Sequence, residues 1–106
     1  MSKYVLVFTG GGMPESEEEQ AKVMAAWGAW YEGLAAAVVD PGNPFSPEPR
    51  NIVPDRTVSA GAVGTQASGY TILQADSMDA AVEMAKGCPI LDGNGQITVY
   101  EAFDIM

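Results

Sequence analysis

The sequence predicts an α+β fold: one antiparallel sheet with two helices on a single face, in the order β-α-β-β-α-β. Three observations predict it. Residues 3–8, 69–75 and 96–103 are short runs rich in β-branched and aromatic side chains, which fit strands. Residues 17–34 and 77–86 instead bring apolar side chains back at helical spacing. A chain of 106 residues, 47% of them apolar, is the size of one domain, so residues 1–106 share a single core.

The first strand, residues 3–8 (KYVLVF), is apolar at nearly every position, as a central strand is. The first helix starts at Ser16-Glu17-Glu18-Glu19, which reads as a capping box. In it Ser16 accepts from the Glu19 amide, the Glu19 carboxylate reaches back to Ser16, and the three acids sit at the favourable end of the helix dipole. Glu18 and Lys22 are spaced as an i, i+4 pair. Val23, Met24, Trp27, Trp30, Tyr31 and Leu34 form the apolar stripe of this helix.

A second strand, residues 36–40 (AAVVD), is stopped by Pro41 and Gly42, and five prolines between Asp40 and Asp55 predict a long loop without regular structure. Residues 56–60 and 62–65 have weak alternation and could pair as a small hairpin around Gly61. The third main strand, residues 69–75 (GYTILQA), leads into a helix capped by Ser77 with Asp79 in its first turn. Gly87 is expected to close that helix in a left-handed conformation, and Pro89 forbids its continuation. A turn at DGNG, residues 92–95, then precedes the last strand.

This order is the ferredoxin-like plan. Two helices cover one side of such a sheet, yet the first strand is apolar at Val5 and Val7 as well as at Tyr4, Leu6 and Phe8. Something has to bury the second face, and in an α+β chain of this length a second subunit does so, which predicts a homodimer with any gap between the sheets lined as a pocket.

Charge narrows the partners. With 5 basic and 14 acidic residues the formal charge is −9, which repels nucleic acid over most of the surface. The five basic residues form no run suited to a membrane surface, and the apolar stretch in the first strand is too short for a signal sequence or a spanning helix. A cytoplasmic protein without nucleic-acid or membrane partners is expected. One cysteine cannot make an internal disulfide, and a chain without histidine lacks the commonest ligand for transition metals, so no metal or other cofactor is expected.

Residues 69–89 (GYTILQADSMDAAVEMAKGCP), with KYVLVF before them and GQITVYE after, resemble the YCII-related family and in particular its DGPF-domain branch. In that branch a Gly-Tyr strand, an Ala-Asp-Ser/Asp helix start and an Ala-x-x-Cys-Pro stop recur before a closing strand. The resemblance spans essentially the whole chain and implies a dimeric α/β-barrel type protein of the bacterial cytosol, with some relatives acting on small cyclic compounds. This sequence lacks the Asp-Gly-Pro-Phe motif itself, and it lacks the histidine that the YCII family pairs with an aspartate. By offset Met24 takes the histidine's place on the first helix, and Asp40 matches the acidic partner. A thioether neither gives nor takes protons, so that pair cannot act here as an acid–base couple.

The glycine-rich start of TGGGMPESEEE, residues 9–19, has no basic side chain for a phosphate, and successive helical glutamates point about 100° apart, too divergent to share one ion. Trp27, Trp30 and Tyr31 read first as core, with Trp30 or Tyr31 near the helix end as alternatives for a pocket wall. Cys88 follows a helix C-terminus with no base beside it and reads as structural. Asp40, ahead of Pro-Gly, is either a turn cap or a general base. Arg56 could meet a ligand carboxylate or pair with Asp55, and Tyr100 on the last strand could donate to a ligand from the helix-free face or pack in a dimer.

Three functions are compatible with these residues. One is a dimer that binds a small apolar or aromatic metabolite between sheet and partner, through Tyr100, Arg56, Trp30, Tyr31 and Met24. Another is a cofactor-free lyase, isomerase or dehalogenase with Asp40 as base. The third is a structural or regulatory dimer without a pocket.

Overall fold

The computed structural model describes residues 1–11 and 16–103. Its elements are β1 (Ser2–Thr9), α1 (Glu17–Leu34), β2 (Val38–Asp40), β3 (Arg50–Ile52), β4 (Val58–Ala60), β5 (Ala67–Ala75), α2 (Met78–Ala85) and β6 (Gln96–Ala102). Four strands form the main antiparallel sheet in the order β2-β5-β1-β6. That is the ferredoxin-like order, with α1 and α2 on one face and a separate β3–β4 hairpin inserted between β2 and β5.

The alternation of β1 decides the layers. Tyr4, Leu6 and Phe8 are at most 4% exposed, whereas Val5 and Val7 between them are only half-buried. Their partners on neighbouring strands follow suit: Leu6 faces Thr71 and Val99, and Tyr4 faces Leu73. On this face Leu73 and Ala75 of β5 lie beside the buried residues of β1, and Trp30, Ala81, Ala85 and Cys88 complete the same core cluster. Among the described residues no helix covers the other face, and the molecule measures 44 × 41 × 18 Å. Its radius of gyration of 15.3 Å exceeds the roughly 13 Å of a compact chain this long.

At the start of α1 Ser16 Oγ accepts from the Glu19 amide at 3.1 Å, the first half of the expected capping box, and Lys22 lies 4.0 Å from Glu18. The apolar stripe is shorter than the sequence suggests. Val23 is 40% and Met24 67% exposed, because the helix meets the sheet only through its later turns. There Phe8, Trp27, Trp30 and Tyr31 pack with ring centroids 5.1–5.9 Å apart. The indole of Trp30 donates to the Met84 carbonyl at 2.9 Å and so ties α1 to the last turn of α2.

That contact corrects the reading of Gly87. Its φ is not positive. A Cβ there would lie 3.3 Å from Trp30 Cδ1, so the glycine serves the indole's approach and not a left-handed cap. Ser77 caps α2 by accepting from the Ala80 amide, and Pro89 opens a short 3₁₀ turn, Pro89–Gly93, that ends at left-handed Asn94.

The proline-rich stretch is also more ordered than five prolines suggest. Residues 50–52 leave it to form β3, and their partner is residues 58–60, so the hairpin turns at residues 53–57 and not at Gly61. Residues 62–65 lie outside any strand. In the glycine-rich segment Gly10 and Gly11 both have positive φ, which explains two of the three glycines. Residues 12–15, which hold the third glycine and the start of the acidic run, lie outside the described residues.

The uneven burial is testable by truncation. Leu6→Ala empties a fully buried site and is expected to cost about 2–5 kcal/mol in urea denaturation. Val23→Ala, at a position that sequence spacing assigns to the core, is expected to stay within about 0.5 kcal/mol of wild type.

Candidate functional site

Strand register sorts the candidate residues. On the helix-free face Tyr100 pairs with Val5, Val5 with Ile72, and Ile72 with Asp40, which makes one row across all four strands. A neighbouring row runs Thr98, Val7, Tyr70. Tyr100 and Asp40 therefore stand at the two ends of an apolar floor, their backbones about 14 Å apart at roughly 4.8 Å per strand. A small ring lying on Val5 and Ile72 would have a phenol on one side and a carboxylate on the other.

The Asp40 end is built in detail. A register shift between Val38 and Asp40 turns the aspartate onto the open face. Its Oδ1 accepts from the Gly42 amide at 2.8 Å, which is the turn cap the sequence allows for. Its Oδ2 is 3.5 Å from the Tyr70 hydroxyl, long enough to leave that oxygen open to another donor. Phe45 stacks on Tyr70 with centroids 5.6 Å apart, and the Phe45 amide donates to the Ser68 carbonyl. The start of the proline-rich loop is thereby laid beside β5, with Phe45 46% exposed at the rim.

Below the sheet the same loop is pinned by the Pro41 carbonyl. Tyr31 Oη and Thr71 Oγ1 each lie 2.9 Å from it, and they are 3.3 Å from one another. Each hydroxyl has one proton, so both donate to Pro41 and their mutual approach is the cost of sharing one acceptor. Thr71 is fully buried, and this bond satisfies it. Burial raises the Tyr31 phenol above its ordinary value, against the opposing effect of the Thr71 hydroxyl 3.3 Å away, with Cys88 and Asp40 adding to the rise.

The structure thus brings Asp40 and Tyr100 onto one surface and separates the others from it. Trp30 and Tyr31 lie in the helix–sheet core, Met24 is exposed on α1, and Arg56 sits in the hairpin turn, where its guanidinium donates to the Pro54 carbonyl. Asp55 caps the Thr57 amide at 2.8 Å, and no ion pair with Arg56 forms. Tyr70 and Phe45 are the site residues that sequence reasoning missed. For Tyr70 a signal existed, since alternation in GYTILQA puts Tyr70 and Ile72 opposite Thr71 and Leu73. Phe45 had none, because its position depends on how the loop returns to β5.

Two grooves flank α2, of about 400 Å³ beside β6 and about 260 Å³ near Ala75 and Met84, and neither includes Asp40 or Tyr100. Both are shallow and mainly apolar, without a convergent set of polar groups, so the open face is the better candidate. Among the described residues no three His, Cys, Asp or Glu side chains converge as a metal site, and no helix is long and apolar enough to cross a membrane.

No protein family matches the chain by sequence pattern, and no curated protein matches it by sequence. A solved structure does. The chain is similar to 5-chloro-2-hydroxyhydroquinone dehydrochlorinase (TftG) from Burkholderia phenoliruptrix AC1100, in complex with 2,5-dihydroxybenzoquinone. The TM-score is 0.53 at 19% identity, covering 94% of this chain and 93% of that one. What the two share is the fold. That likeness agrees with the ferredoxin-like arrangement of strands and helices over nearly the full length.

Two measurements test this geometry. Gly42 has φ +73°, and a Cβ on it would fall 1.8 Å from the Tyr70 carbonyl oxygen. Gly42→Ala is therefore expected to destabilise the fold by at least about 2 kcal/mol in denaturant titration, because left-handed strain adds to the displaced turn. The second test is pH. Burial pushes the Cys88 thiol up to about 11, only partly opposed by an Ile90 backbone contact. Cys88 and Tyr31 both fold in the neutral, protonated form, so their contribution is complete at neutral pH and is lost as pH rises through their folded-state values. Stability is expected to fall as pH climbs from about 9 towards about 11, with Cys88 slow to alkylate until the chain is unfolded.

Proposed function

We propose that this protein binds a small apolar or aromatic metabolite on the helix-free face of its sheet, and that a second copy of the chain closes over it. The observation that carries this reading is the row from Tyr100 across Val5 and Ile72 to Asp40. It combines an apolar floor with one donor and one acceptor at its ends, the composition of a small-molecule site. Tyr100 is 57% exposed and Val5 only half-buried, so the face has surface left to lose. The fold of TftG, a dehydrochlorinase solved with a dihydroxyquinone, supports a ligand of that size and polarity. In this reading the chain is a divergent YCII-related protein of the DGPF branch, working in the cytoplasm as a homodimer.

A catalytic reading has one observation in its favour: Asp40 Oδ2 is turned to the open face and held by Tyr70 only at 3.5 Å. Loss of hydrogen chloride from a hydroxylated ring needs a base to take a proton while chloride leaves with the bonding pair, and no net oxidation occurs. Asp40 is the group placed to accept that proton, with Tyr100 across the floor to polarise a ring oxygen.

The test uses 2,5-dihydroxybenzoquinone as probe. A concentration-dependent rise in melting temperature is expected, with affinity about tenfold weaker in Tyr100→Phe through the loss of one hydrogen bond. Absence of any shift, or a shift indifferent to both Tyr100→Phe and Asp40→Asn, overturns the binding reading and favours a dimer without a pocket. Turnover of a chlorinated hydroxyhydroquinone that survives Asp40→Asn excludes the aspartate as base.

A further inference from the structure

The β3–β4 hairpin stands apart from the body of the molecule. It is a two-stranded sheet of its own, pairing Arg50 with Ala60, Asn51 with Ser59 and Ile52 with Val58. Its turn is closed by the Val53 amide on the Thr57 carbonyl and the Arg56 amide on the Val53 carbonyl. Of residues 50–60 all but Asn51 are exposed. The directly opposed pair Ile52 and Val58 is 65% and 57% exposed, with Val53 at 39% beside it. A hairpin of two short strands is marginal in water without a surface to pack on, and the described residues bury only Asn51 of it in part. Its apolar pair marks a contact made with something else.

Charge identifies the contact. Both arginines of the chain, Arg50 and Arg56, are on the hairpin, and among the described residues their guanidinium groups donate only to the carbonyls of Glu48, Pro49 and Pro54. The ion pairs among the described residues use lysines elsewhere, Lys22 with Glu18 and Lys86 with Glu83. Taking the hairpin's two arginines and one aspartate out of the formal −9 leaves −10 on the rest of the chain. The hairpin is thus a small positive, apolar projection from an acidic body whose open sheet face is also apolar. Two copies at −9 each repel one another, and the hairpin is the segment whose charge works against that repulsion.

We infer that the β3–β4 hairpin is an arm that docks on the acidic, apolar body of a second copy of this chain. The inference rests on the dimer reading above and adds to it the element that holds the copies together. Under two-fold symmetry each arm makes the same contact, so every favourable arginine interaction counts twice. The arm also offsets the repulsion between two acidic bodies, which the apolar sheet face by itself does not do.

Sedimentation equilibrium of the full chain tests this, at low and high salt, on wild type, Arg50→Glu/Arg56→Glu and Ile52→Ser/Val58→Ser. The hairpin contributes nothing to the core, so both variants should keep the wild-type near-ultraviolet circular dichroism. Dimerisation about tenfold weaker or more in each variant is expected. Salt should strengthen association of the charge-reversed variant, in which only repulsion is left to screen, more than it strengthens that of wild type. A wild-type dimer matched by both variants overturns the arm, leaves the dimer reading standing and assigns the arginines to another anionic molecule. A wild type that stays monomeric at all concentrations overturns the dimer reading, and the arm with it.

Discussion

The register of β1 against β5 and β6 is the constraint on which everything else depends. Side chains alternate across a strand, so a slip of one residue would carry Tyr4, Leu6 and Phe8 to the open side and bury Val5 and Val7 against the helices. The burial of Leu6 and Leu73, both completely enclosed, fixes that register because no other pairing hides as much apolar surface on the side the helices cover. The open-face row from Tyr100 to Asp40 is then a by-product of core packing. Val5 and Ile72 are aligned because the residues flanking them, Tyr4, Leu6, Thr71 and Leu73, have to be inside, and Asp40 joins the row through the shift in β2.

A second, smaller constraint carries that order to the loop. Pro41 has no amide hydrogen, but its carbonyl takes two protons, from Tyr31 on α1 and Thr71 on β5. It therefore fixes where the chain leaves β2 in relation to both layers. Asp40 lies one residue before this node and Gly42 one residue after, so the turn that aims the aspartate is held from beneath by the core and from above by its own carboxylate. Glycine is required at position 42 because the Tyr70 carbonyl occupies the space of any side chain. Core, turn and candidate site form one mechanical unit, whereas the hairpin that follows is outside it.

The parts of the fold legible in the sequence were those with a local cause. Ser16 and Ser77 announce their helices because a hydroxyl before an apolar-periodic run satisfies free amides. KYVLVF announces a central strand, and its apolar residues on both faces announce that one face lacks a layer from its own chain. Gly87 shows the limit: glycine after a helix suggests a left-handed cap, but the space is taken by Trp30, 57 positions earlier in the chain. The stripe on α1 fails at Val23 and Met24 for a related reason, since periodicity shows which side of a helix is apolar but not how far the sheet extends beneath it. Of the site, Asp40 and Tyr100 were visible as residues. Their alignment was not, because it needs the strand order and the shift in β2.

The sequence by itself determined the four strands of the main sheet and the two helices, their order, the acidic charge and the absence of an imidazole for acid–base work, because these follow from local sterics and from composition. Tertiary structure decided which residues share a surface. It put Trp30 and Tyr31 in the core, set Asp40 and Tyr100 at opposite ends of one apolar floor, added Tyr70 and Phe45 to the site, and set both arginines on a hairpin that forms a separate two-stranded sheet. The physical reason is that each of these outcomes depends on contacts between segments far apart in the chain, and the order of β2, β5, β1 and β6 that creates them is fixed by burying one shared core.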